Sequence, residues 1–220
     1  FTDQTLEPTQ VAGFNQFYDD DSGTEAWHYG AAVDQKFPSN IYGGAEFFYR
    51  DLSVPFFSQD ALGGLNQEDE KWKEYVGRAY LYWTAREWLA LRAEYRYEKL
   101  DRDEGGVNWG IDEAKTHSVP LGISLFHPSG LSAFLQTTYY HQDGQFVREE
   151  ILEVPSEDGK DDFWVVDAAI SYRFPKRYGL FTIGVTNLFD EDFEYADSDI
   201  NNPKIQPDRF IFGKVTLAVP

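Results

Sequence analysis

The stretch "EWLALRAEYRYEKL", Glu87–Leu100, decides the fold. One parity carries Leu89, Leu91, Ala93, Tyr95 and Tyr97, and the other carries Ala90, Arg92, Glu94, Arg96 and Glu98. A strand turns successive side chains to opposite faces, so this segment has one apolar and one charged face. A helix would scatter the same residues around its circumference. The segment reads as a strand.

The alternation recurs outward in both directions. In "DFWVVDAAISYRF", Trp164, Val166, Ala168, Ile170, Tyr172 and Phe174 oppose Val165, Asp167, Ala169, Ser171 and Arg173. In "EYVGRAYLYWTAR", Tyr75, Gly77, Ala79, Leu81 and Trp83 oppose Glu74, Arg78, Tyr80, Tyr82, Thr84 and Arg86. "AWHYGAAVDQKF" follows the same rule, and "LSAFLQTTYYHQ" and "IYGGAEFFYR" follow it more weakly. About ten such segments emerge, each near the ~9–11 residues that cross a bilayer as a tilted strand.

Connections carry a second regularity. Tight turns are expected at 37–40, 85–88, 127–130 and 175–179, and longer polar loops at 19–24, 51–70, 101–116, 142–161 and 190–208. Short and long alternate. A meander with turns at one end and loops at the other has the layout of an outer-membrane barrel. Aromatics flank the apolar parity: Trp27, Tyr29, Tyr49, Tyr75, Tyr95, Tyr97 and Tyr139 near the loops, and Phe37, Trp83, Phe174 and Phe181 near the turns. Two such girdles around a band about 25 Å tall mark the interfaces of a membrane barrel. On this reading Arg placed at Leu91 or Ile170 costs about 2–4 kcal/mol if mid-bilayer, and far less at Glu94.

Composition narrows the function classes. The 38 acidic residues exceed the 19 basic ones, for a formal charge of -19, which repels phosphate backbones and argues against nucleic acid. Cysteine is absent, which excludes disulfides, thiolate metal sites and a cysteine nucleophile. No run approaches the ~18 apolar residues of a membrane helix. The opening "FTDQTLEPTQ" reads as mid-protein sequence, so the chain is expected to be one barrel domain over 1–220 or the C-terminal part of a larger barrel, with no plug domain present.

Near the other end, "GVTNLFDEDFEYADSD" followed by "IQPDRFIFGKVTLAV" resembles the C-terminal end of TonB-dependent outer-membrane receptors. Asn187, Leu188, Phe189 and Asp190 match the Asn-Leu-Phe-Asp motif, Tyr195 stands for the aromatic that follows it, and Pro207, Asp208 and Arg209 stand where that family has Pro-Gly-Arg. "TLEPTQVAGFNQFYDD" is similar, more loosely, to another strand of those barrels. The resemblance implies an outer-membrane location, passage of a small solute, and lipid and lipopolysaccharide as neighbours. It also implies an upstream plug or other domain of the same parent. Departures are the missing plug and coupling box, the strand number, and the ending Val219-Pro220 in place of a terminal aromatic.

The polar parity supplies the candidate lumen-lining residues Arg78, Arg92, Glu94, Arg96, Glu98, Asp167 and Arg173. Cross-strand ion pairing among them is the simplest role. The acidic runs at 19–21, 66–70 and 190–199 lack fixed ligand spacing, so solvated loops are expected rather than a metal site. No catalytic residue and no cofactor are expected. Two other readings remain open. His141 and Asp143 at a loop edge suit a ten-stranded outer-membrane protease. A soluble β-sheet module could stack its aromatics on sugars.

Overall fold

The computed structural model describes residues 7–11, 14–18, 23–59, 64–102, 111–146, 157–193 and 208–217. Two short strands, β1 (Glu7–Val11) and β2 (Phe14–Tyr18), form an antiparallel hairpin of their own. Nine strands then follow: β3 (Glu25–Phe37), β4 (Ile41–Gln59), β5 (Leu65–Arg86), β6 (Leu89–Arg102), β7 (Ile111–Phe126), β8 (Leu131–Phe146), β9 (Glu157–Arg173), β10 (Gly179–Thr186) and β11 (Phe210–Leu217). They make one antiparallel sheet in chain order, each strand paired with the next. Among the described residues the edge strands β3 and β11 do not pair with each other, so the structure shows one open antiparallel sheet of nine strands where about ten barrel strands were expected, as a whole barrel or as the C-terminal part of a larger one.

The turn end matches expectation. Pro38–Asn40 and Pro175–Arg177 are single 3-10 turns, with Ser39, Asn40 and Lys176 at positive φ. The His127–Gly130 turn packs on its neighbour: Arg173 N donates to Gly130 O at 2.9 Å. Gly130 has φ +93, and a Cβ there would lie 2.7 Å from Arg173 O, so two constraints select glycine. Between β5 and β6 a bulge after Thr84 shifts the register and sets Arg86 opposite Leu89.

The loop end differs. The β4–β5 ladder runs out to the pair Gln59–Leu65, and the β8–β9 ladder to Phe146–Glu157. Most of the expected loop at 51–70 and half of that at 142–161 are therefore paired strand. The alternation continues there but its faces exchange character, which hides the strand from a search for apolar parity.

Over the middle of the sheet, the apolar parity is the exposed one. Val33 is 64% exposed, Ile170 59% and Leu135 47%, while Glu94 on the opposite parity is 6% exposed. A flat sheet with bare faces would expose both alike, so the sheet curls around its polar side. Beyond the loop-end aromatics the order reverses. Leu52, Val54, Leu100, Ala114 and Phe163 are buried on the enclosed face. Lys99, Asp101, Glu113, Lys115, Asp143 and Asp162 occupy the outer face at the same level. Phe193 stacks on Phe163 at 4.3 Å, and Phe163 on Tyr140 at 5.1 Å, extending this small core. The enclosed face is thus polar in its middle and largely apolar near the loops, so the polar parity expected to line a lumen is confined to the middle of the strands.

The aromatics form two slanted rows on the outer face. Tyr29, Tyr49 and Tyr75 stand in one cross-strand rank, with ring centroids at 6.3 and 4.9 Å. Tyr139 and Trp164, 5.1 Å apart, lie in a rank four residues nearer the turns. At the turn end, Phe37 and Trp83 share a rank with Ile41, and Tyr172 and Phe181 lie four residues beyond it. Both rows slant equally. Four residues, about 13 Å, over six strand spacings of about 4.8 Å give a slant of roughly 25°. The rows are separated by eight residues in β3 (Tyr29 to Phe37), β5 (Tyr75 to Trp83) and β9 (Trp164 to Tyr172).

Candidate functional site

Charges on the enclosed face gather in the middle of β4, β5 and β6. Register sets Glu46 opposite Arg78 and Arg78 opposite Arg96. Two arginines facing each other directly repel. Glu94, one pleat away on β6, resolves this by accepting from both: Arg78 Nε at 3.0 Å and Arg96 Nη2 at 3.1 Å. Arg78 also donates to Glu46 Oε1 at 3.1 Å and to the Tyr82 hydroxyl at 2.8 Å. The Tyr82 hydroxyl donates in turn to Glu94 Oε1 at 2.6 Å. Arg50 donates separately to Glu74 at 2.7 Å, and the Tyr80 hydroxyl donates to Asp34.

Of the seven polar-parity residues the structure brings Arg78, Glu94 and Arg96 together, with Tyr82 as an added member. Tyr82 shares their parity, which was the available signal, but alternation cannot say which diagonal neighbour a hydroxyl reaches. Glu98 stands one pleat above Arg96, in register with Val76 and Thr116. Arg173 is exposed at the turn end, in register with Leu180 and apart from the cluster. The structure changes one expectation: an arginine at Glu94 would confront Arg78 and Arg96 in a buried position, so it is not a mild change.

Arg92 stands apart in a different way. Its chain crosses Gly122, where a Cβ would lie 2.6 Å from Nε, and its guanidinium sits 5.1 Å from the Phe134 ring centre. Register aligns Arg92, Gly122, Gln136 and Asp167 in one rank across β6 to β9. Both Arg92 Nε and Gln136 Oε1 are buried without a hydrogen-bond partner among the described residues.

The Asn-Leu-Phe-Asp stretch is a compact stop for β10. Asn187 and Asp190 adopt left-handed φ of 48 and 60, conformations that Asn and Asp tolerate better than other side chains. Asp190 N donates to Asn187 O at 2.9 Å, closing the turn, and Leu188 N donates to Val166 O at 2.7 Å, docking it on β9. Asn187 is 1% exposed, and its amide both donates to Glu191 O and accepts from Glu191 N, each at 2.9 Å. Its own N–H goes to Asp167 Oδ1 at 3.0 Å. Asp190 then accepts from Arg209 through backbone N at 3.0 Å and Nη2 at 3.3 Å, tying the entry to β11. Phe189 is exposed. Pro207 and Tyr195 lie outside the described residues. The motif acts here as a strand terminator and a clamp on the last hairpin.

Comparison with protein-family models, curated proteins and solved structures finds no match for this chain. Its functional reading therefore rests on its own sequence and geometry.

His141 points to the outer face, not the enclosed one. It meets Asp162 Oδ1 at 2.6 Å and Asp143 Oδ2 at 3.5 Å, and the Tyr139 hydroxyl donates to the same Asp162 oxygen at 2.6 Å. These bonds, Tyr139 first and His141 next, hold the Asp162 carboxyl down to about 2. Lys99 and Lys115 both bridge Glu113, at 3.1 and 2.9 Å, and Lys115 foremost depresses its carboxyl. This is a solvated ion network just above the aromatic row. Among the described residues no group of three or more His, Cys, Asp or Glu is arranged to hold a metal. The acidic run at 66–70 forms part of β5, and that at 19–21 lies outside the described residues.

Proposed function

We infer that the chain forms part of the wall of a transmembrane β-barrel in the outer membrane, of the TonB-dependent receptor type, and serves the passage of a small solute. The observation that carries this is the pair of aromatic rows, eight residues apart on three strands, bounding an exposed apolar face. Eight residues of strand measure about 27 Å, and tilting shortens this to near the ~25 Å of an apolar barrel band. In water that face would be a large apolar liability. In hydrocarbon it is the expected surface, and the exchange of faces beyond the loop-end row follows where strands leave the lipid.

The transport class draws on the resemblance of the C-terminal motif, whose Asn, Asp and Arg have a coherent structural job in this chain. An open edge is costly in lipid because its N–H and C=O groups find no water. The reading therefore requires the β3 and β11 edges to pair with strands outside the nine. Lipid and lipopolysaccharide are then its neighbours, and a plug or other domain of the same protein fills the enclosed space.

Fluorescence quenching by brominated phospholipids tests the membrane reading. A tryptophan introduced at Leu135, midway between the rows, should be quenched most by bromines near the bilayer centre, and the native interfacial tryptophans most by shallow bromines. Absence of depth-dependent quenching, with the chain monomeric in plain buffer, would sink it.

A further inference from the structure

On the enclosed face, Glu46, Arg78, Glu94 and Arg96 neutralise one another, and Arg50 has Glu74. Arg92 has no carboxylate or hydrogen-bond partner among the described residues. It is nonetheless held. Gly122 gives it a trough that any Cβ would fill, and Phe134 gives its guanidinium a face to stack on. Stacking and confinement remove rotamer freedom before any ligand arrives, which is what a preorganised anion receptor needs. Beside it on β8 is Gln136, whose Nε2 is committed to Thr138 at 3.1 Å while its carbonyl oxygen has no donor. An oxyanion acceptor and a nearby donor are the two groups that this pairing lacks.

We propose that Arg92 and Gln136, seated by Gly122 and Phe134, form a binding subsite for a small solute bearing an oxyanion beside a hydroxyl or amine. The oxyanion takes the guanidinium Nη donors, and the hydroxyl or amine donates to Gln136 Oε1. The carboxylate of a hydroxy acid and a phosphate share this chemistry. The subsite deepens the reading of the enclosed face as a solute path and rests on it.

The test is calorimetric titration of the chain in detergent micelles with tartrate, inorganic phosphate and the neutral polyol erythritol. Saturable binding of tartrate, phosphate or both, and none of erythritol, is expected. Tartrate alone would identify a carboxylate solute and phosphate alone a phosphate-bearing one; each supports the subsite. Arg92→Gln should weaken binding at least tenfold, and Gly122→Ala, which crowds the guanidinium but keeps its charge, severalfold. Lys176→Gln, in the turn before β10, should leave it unchanged. Because Arg92 holds no carboxylate or hydrogen-bond partner among the described residues, Arg92→Gln is expected to fold, which circular dichroism checks. The proposal is overturned if neither anion binds, or if folded Arg92→Gln binds as tightly as the parent. Anion binding by a chain that shows no lipid quenching would count against the membrane reading alone; quenching without anion binding would count against the subsite alone.

Discussion

Leu135→Arg separates the two environments that the apolar outer face could meet. Leu135 is 47% exposed and stands four residues from Tyr139 along β8, in register with Ile123 and Ala168. It belongs to the Trp83 rank, but because the rows slant it lies on β8 midway between them, four residues from Tyr139 and four from Leu131, the partner of Tyr172, about 13 Å of strand from each. No carboxylate shares that part of the face, so an introduced guanidinium has no partner there. In lipid, arginine at the midplane of a barrel wall costs about 2–4 kcal/mol, a drop of roughly 30- to 900-fold in the folded ratio. In water, a substitution at so exposed a site changes stability by about 0.5 kcal/mol or less. The assay is urea titration of the chain in phosphatidylcholine vesicles, followed by tryptophan fluorescence. A change within about 0.5 kcal/mol would refute the assignment of this face to lipid. Leu91 shares the Trp83 rank and Ile170 lies two residues from Tyr172, so both are near the turn-end row rather than mid-bilayer. Arginine there should cost only about 0–1 kcal/mol, below the 2–4 kcal/mol expected from sequence.

Other outcomes follow from the polar groups. Glu94→Gln leaves Arg78 and Arg96 without a carboxylate between them and should destabilise by about 2–3 kcal/mol in the same titration, less than a fully buried pair because both arginines are partly wet. A loss no larger than that of an ordinary surface change would show the cluster to be idle. Asn187→Ala removes both amide bonds to Glu191 and leaves a left-handed residue without its preference, costing about 1–2 kcal/mol. Amide exchange at Leu188 and Asp190 should accelerate, and unchanged protection would contradict the clamp. Asp162 titrates lower when folded than its ordinary 3.8, so its bonds stabilise above that value and are lost as pH falls through about 2. The carboxyl carbon of Asp162 followed by NMR should show a midpoint well below 3.8; a midpoint at or above it would exclude the Tyr139 and His141 bonds.

Much of the strand content was legible because alternation is a local property. Arg92 and Glu94 fall on one parity and Leu91 and Ala93 on the other whatever the neighbours do. The eight-residue spacing of Tyr75 and Trp83 can also be read from the chain alone. Strand ends were less legible. Leu52 and Val54 lie on the parity of Glu46 and Arg50, so a rule that assigns apolar residues outward stops at the belt, where the strand itself continues.

The order of residues by itself determined period-two strands, two opposed faces and the tight turns, since each depends on side chains a few positions apart. Tertiary structure decided which residues meet: Glu94 between two arginines, Arg92 across Gly122 to Phe134, Asn187 against Asp167. Those contacts depend on register between strands, and register is set by the summed pairing of whole ladders, which no single segment carries.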